Sequence, residues 1–147
     1  MLATLFFAMK SVKIFHLFLM LFYNSCGRND SMNDRIKNWK FTDLQCSLQF
    51  PELVTGNFQS ETVVISRTKT QQVITHKITG ATRKYKIVSW LNACSFIMVN
   101  ENNNKQVFLF TIKDSNKDFY TYTLEKLDPE IGVKTGQRTD AVHYLMK

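Results

Sequence analysis

Cys26, Cys46 and Cys94 are the residues of this chain with the clearest chemistry in their types and surroundings. Cys26 follows Ser25 at the end of a segment that opens with Lys10 and Lys13 and runs through the predominantly apolar residues 14–23. A basic stretch, a short greasy stretch and a small residue before a cysteine form the pattern of a lipoprotein signal peptide, in which the cysteine is the expected acylation site; an ordinary secretory signal with an incidental cysteine, or an uncleaved N-terminal anchor, is the alternative. The apolar run is too short for a membrane span, which needs roughly 20 residues. After cleavage the Cys26 sulfur would carry a thioether-linked diacylglycerol and the freed amine an acyl chain. Several chains hold a protein on a membrane much more firmly than one, because each buried methylene adds about 0.8 kcal/mol. Tyr23 stands where an aliphatic residue is usual, and Met9-Lys10 offers an alternative start, so the signal occupies residues 1–25 with its beginning at Met1 or Met9.

With Cys26 acylated, Cys46 and Cys94 remain as a pair in an oxidising compartment, where a disulfide is expected. Two buried free thiols are the alternative. No CxxC is present to carry redox catalysis, and the cysteine spacing does not make a closed zinc site. His76 and His143 fall in apolar, strand-like runs without a carboxylate or cysteine at ligand spacing, so both read as packed or surface histidines and no metal is expected. Asp128 and Glu130 flank Pro129 in a turn-forming stretch, where two carboxylates are normally solvated. The chain has no GxGxxG, GxxxxGK[ST], GxSxG or HExxH. Composition and motifs therefore point to no enzyme, no cofactor and no nucleic acid.

The elements that must position these residues are mainly strands. Residues 62–66, 72–75, 85–90, 95–99, 107–112, 119–124 and 141–146 are short runs rich in β-branched and aromatic residues. Gly56-Asn57-Phe58 adds a further one, for about eight strands. Thr79-Gly80 and the stretches 100–104, 114–117 and 129–136 supply the turns. The expected fold is all-β, a small antiparallel meander that closes into a barrel or wraps as a half-barrel. Residues 26–38 are polar and read as a flexible tether, and residues 39–147 as a single β domain. Trp39, Phe41, Leu44 and Leu48 begin an apolar segment expected to pack across one end of the domain, tied down by Cys46. Alternation puts Phe108, Phe110 and Ile112 on one side of their strand, and Tyr120, Tyr122 and Leu124 on one side of the next. Val107, Leu109 and Phe119 fall opposite. A sheet apolar on both faces either is covered on its outside by the N-terminal segment or encloses a lipophilic ligand.

The net charge of +7 falls by two when Lys10 and Lys13 leave with the signal. Lys84, Lys86, Lys105, Lys113 and Lys117 are scattered, as on an ordinary solvated surface.

Residues 85–96, YKIVSWLNACSF, resemble the W-[IVL]-N-x-C-x-[FY] signature of small lipoproteins of unknown function from Bacteroidota-type bacteria. In those proteins an earlier cysteine precedes a Gly-x-Phe strand, as Cys46 precedes Gly56-Asn57-Phe58, and an arginine and glutamine follow in the next hairpin, like Arg67 and Gln71 here. Trp90, Asn92, Phe96, Gly56 and Phe58 are then structural motif residues. Ala93 and Ser95 stand where an acidic residue is common. The resemblance implies an outer-membrane lipoprotein with a small lipocalin-like β domain. Some proteins of that kind carry a transferred DNA topoisomerase IV label, a chemistry for which this chain has no ATP motif. The functional expectation is a cell-envelope lipoprotein, on the periplasmic or surface face of the outer membrane, that binds an apolar ligand or an envelope protein without catalysis. A structural accessory subunit of an envelope complex is the alternative.

Overall fold

The structure, a computed structural model, describes residues 31–42, 44, 46 and 55–146. The signal segment and Cys26 lie outside the described residues. The chain divides into two compact units between Asn38 and Trp39.

In the first unit, within the segment expected as a flexible tether, α1 (Ser31–Asn38) is helical. It carries Asp34 in its first turn and Arg35 and Lys37 in its last, the arrangement that favours a helix dipole. Lys37 and Asp34 approach to 3.5 Å one turn apart. Helix support of this kind comes from charge order, not from apolar periodicity, which is why the hydrophobic pattern did not reveal it.

The second unit is an eight-stranded closed barrel. Its strands are β1 (Gly56–Gln59), β2 (Val63–Arg67), β3 (Gln71–His76), β4 (Thr82–Asn92), β5 (Ser95–Asn100), β6 (Asn103–Ser115), β7 (Phe119–Leu127) and β8 (Lys134–Leu145). Each strand pairs antiparallel with the next, and Phe58 and Gln59 of β1 pair with Leu145 and Tyr144 of β8 to close the ring. β4, β6 and β8 begin earlier than their apolar runs, at Thr82, Asn103 and Lys134. Their polar first halves are held by ladder hydrogen bonds in solvent and carry no hydrophobic alternation to read. Register shifts at Ile87/Ser89 and Trp90/Asn92 in β4 and at Ile112/Asp114 in β6 supply the bends a small closed barrel requires.

The interior follows from the register. Phe58, Ile65, Ile87, Phe96, Met98, Phe110, Ile112 and Tyr120 form one buried cluster, with Ile74, Tyr122 and Leu124 packed against it. The alternate residues Ile97, Val99, Val107, Leu109 and Leu127 are also buried, on the outer face of β5, β6 and β7.

Two anchor points bracket that outer face. At one end of the barrel the Trp39 indole lies on Gly132, in the loop between β7 and β8. At the other end Cys46 is disulfide-bonded to Cys94, in the turn between β4 and β5, with Cα atoms 5.5 Å apart. The chain from 39 to 46 can reach roughly 23 Å when extended. That matches the length of β5, 6 residues, or roughly 20 Å. The described residues of this strap, 39–42, 44 and 46, are not helical, and β5 to β7 lie between its fixed points.

Candidate functional site

The signature residues around Cys94 close one end of the barrel. Asn92 Oδ1 accepts from the Cys94 amide at 2.8 Å, which shapes the turn, and its Nδ2 donates to the Leu44 carbonyl at 3.1 Å. Asn92 therefore joins the strap to the turn beside the disulfide. Trp90 packs on Phe96 with ring centroids 4.7 Å apart and donates its indole N–H to the Lys69 carbonyl at 2.7 Å. Its polar edge thus secures the turn between β2 and β3. Gly56, at φ +135°, starts β1 and leads directly to Phe58, which is fully buried.

Above this closed end sits a polar chain in an aromatic cage. On β2, Val63, Ile65 and Arg67 share the inward face, so Arg67 enters the core although it is charged. It is only 2 % exposed, and its guanidinium carbon lies 4.6 Å from the Phe110 ring centre, with Phe58, Phe96 and Tyr120 at 5.1 to 5.3 Å. Cation–π contacts of this kind offset part of the cost of taking a charge out of water. Arg67 Nε donates to Gln72 Oε1 at 2.7 Å, across the register pair that joins β2 to β3. Its Nη2 donates to Tyr120 Oη at 2.6 Å. Tyr120 in turn sits 2.8 Å from His143 Nδ1, again across a register pair, here between β7 and β8.

Burial sets the protonation of these groups. Desolvation, reinforced by the Arg67 charge, pushes the His143 pKa down to about 3. Desolvation pushes the Tyr120 hydroxyl up to about 12, against the opposing pull of Arg67. Desolvation also raises Tyr122 and lowers Arg67 from their ordinary values. At neutral pH the set is a guanidinium, two neutral phenols and a neutral imidazole.

A cavity of about 200 Å³ lies next to this chain, with Gln72 and His143 at its polar side and Ile65, Ile74, Met98 and Leu124 among its walls. His76 and the exposed Arg83 also line it, near the turn that joins β3 to β4, so the lumen opens at the end opposite the disulfide. An eight-stranded barrel is just wide enough to be filled by side chains or to keep room for one small ligand.

His76 and His143, which the sequence left as packed or surface histidines, both line the cavity. His143 is a packed residue, but one with a specific partner in Tyr120. Asp128 does turn work, accepting from the Glu130 and Ile131 amides at 2.8 and 3.2 Å. Gln71, paired with Arg67 by the sequence resemblance, points outward and donates to Glu101 at 2.8 Å; the residue that holds Arg67 is Gln72. The signal for Arg67 was present as an arginine in phase with Val63 and Ile65. Nothing in the sequence pairs Tyr120 with Arg67, 53 positions away. Among the described residues no group of three or more His, Cys, Asp or Glu side chains is placed to hold a metal ion. The chain matches no protein-family model, and no curated protein or solved structure is detectably similar to it.

Proposed function

We propose that this is a lipid-anchored protein of the cell envelope whose barrel holds a small ligand without transforming it. The observation that carries the reading is the cavity of about 200 Å³, with apolar walls and a few convergent polar groups, in a barrel sealed at one end and open at the other. Binding is favoured over catalysis by the protonation states. General acid–base work needs a group that titrates near the working pH, whereas His143 and Tyr120 are displaced to about 3 and about 12. Among the described residues the cavity lining carries no Ser, Cys, Lys, Asp or Glu to act as nucleophile or to pair with His76, the other histidine that lines it. The membrane address rests on the sequence around Cys26, with the outer membrane as its site and acyl chains as its anchor.

A second reading, an accessory subunit that braces an envelope complex, draws on three exposed apolar residues. Ile78, in the turn between β3 and β4, is 95 % exposed, and Ile131 and Val133, in the loop between β7 and β8, are 63 % and 58 % exposed. Both connections lie at the open end. The deciding experiment is a methyl-NMR titration of the full chain with benzene. Shifts confined to Ile65, Ile74, Met98 and Leu124 support ligand binding. No shift in any lumen methyl at saturating benzene would defeat it and leave the bracing role.

A further inference from the structure

We propose that the lumen is a site for a small apolar monocarboxylate, whose carboxylate accepts from His143 Nε2–H and the Gln72 amide while its hydrocarbon part lies against Ile65, Ile74 and Leu124. The proposal rests on the ligand-binding reading and adds the chemical class of the ligand.

The direction of the hydrogen bonds carries it. A guanidinium only donates, so Tyr120 Oη accepts from Arg67. The single phenolic proton then has one partner among the described residues, His143 Nδ1. His143 must therefore be the tautomer with its proton on Nε2, and no described residue accepts from that nitrogen. The ring is held edge-to-face against Tyr120 and tilted over Tyr122, at centroid distances of 5.4 and 4.2 Å, so its orientation is fixed. Gln72 is committed in the same sense. Its Oε1 is taken by Arg67, which among the described residues leaves its NH₂ facing only the Met98 sulfur at 3.6 Å, a weak acceptor.

Both groups line the cavity, and both offer donors. The charges point the same way. The Arg67 charge is felt at His143, where it opposes protonation of the ring. Arg83 stands at the opening, and among the described residues no carboxylate lines the space. Fixed donors in the field of the Arg67 and Arg83 guanidinium groups suit an anion, and hydrogen bonds to an ionised acceptor are roughly twice as strong as neutral ones.

Size settles the rest. A cavity of about 150 Å³ accommodates benzene, while drug-sized ligands occupy roughly 300–1,000 Å³. The lumen, at about 200 Å³, has room for one ring or a short branched chain with its carboxylate. A long acyl chain does not fit.

The test is a calorimetric and NMR titration of the full chain in detergent with benzoate, benzamide and palmitate as probes and benzene as the uncharged reference. Benzoate should bind at least about tenfold more tightly than benzamide, shifting the His143 Nε2 resonance together with the Ile74 and Leu124 methyls. His143→Phe should remove that preference while benzene still binds. Should that variant fail to fold, Gln72→Met should lower the ratio of benzoate to benzamide affinity in its place. Equal affinity for benzoate and benzamide would overturn the carboxylate assignment, and palmitate displacing benzoate from the lumen would overturn the restriction to a small ligand, while benzene binding kept the ligand-binding reading intact. Failure of all four probes to shift a lumen resonance would overturn both.

Discussion

Tyr120 Oη stands 2.8 Å from His143 Nδ1 and 2.6 Å from Arg67 Nη2, so one phenol links a buried cation to a buried neutral imidazole. Tyr120→Phe removes the bridge and leaves a donor and an acceptor buried without it. Each such loss costs about 1–3 kcal/mol. The variant should lose stability on that scale in urea denaturation. The wild-type His143 ¹⁵N spectrum should show an unprotonated Nδ1 and a protonated Nε2, and Tyr120→Phe should blur that single tautomer.

The pH dependence of stability follows from His143. In the unfolded chain it takes up a proton near its ordinary value of 6.5, whereas in the fold it stays neutral down to about pH 3. Between those limits the unfolded state binds more protons, so stability rises with pH and is lost as pH falls from about 7 towards 3. Each unit of separation is worth about 1.4 kcal/mol, so the total loss reaches several kcal/mol. Urea midpoints compared between wild type and His143→Phe should draw closer as the pH is lowered from 7 to 4. A gap that stays constant over that range would contradict the assignment.

Reducing the Cys46–Cys94 bond, or replacing both cysteines by serine, frees the strap. The two cysteines are 48 positions apart, and the chain-entropy estimate for a loop of that length is about 4 kcal/mol. Denaturation with and without reductant measures it, and the drop should be a large share of the protein's total stability.

Gly132 and Gly80 both have left-handed backbone, at φ +72° and +69°. A Cβ on Gly132 would run into the Trp39 indole, while one on Gly80 would meet nothing within 4 Å. Gly80→Ala should therefore cost only the conformational strain, about 1–2 kcal/mol, and Gly132→Ala distinctly more. In a Trp39→Ala background the excess at Gly132 should vanish, a coupling that thermal melts of the four proteins would resolve.

Cys26→Ser tests the anchor. With its native N-terminus, in a host that processes lipoproteins, the wild-type chain should fractionate with membranes and show by intact mass the loss of residues before Cys26 and the gain of acyl chains. The serine variant should lose the acyl mass and leave the membrane or stall before cleavage.

Much of the architecture was legible in the chain. Short β-branched and aromatic runs separated by Asn, Asp, Gly and Pro determine an antiparallel meander, because period-two alternation and turn chemistry are local properties. The pairing of Cys46 with Cys94 was legible too, once Cys26 was set aside, and the double-sided apolar character of β6 and β7 left open a covered outer face or a lumen with an apolar ligand. What only the tertiary structure decided is closure and company. Whether the meander shuts depends on β1 meeting β8, a contact between the two ends of the domain that no local pattern encodes. The same closure carries Arg67, Tyr120 and His143 from three separate strands to one point. Arg67 reads as an ordinary strand-end charge until the barrel curls around it, and His143 as a packing residue until Tyr120 lies beside it. Their protonation, and with it the donors that face the lumen, is set by burial, which exists only after the ring has formed.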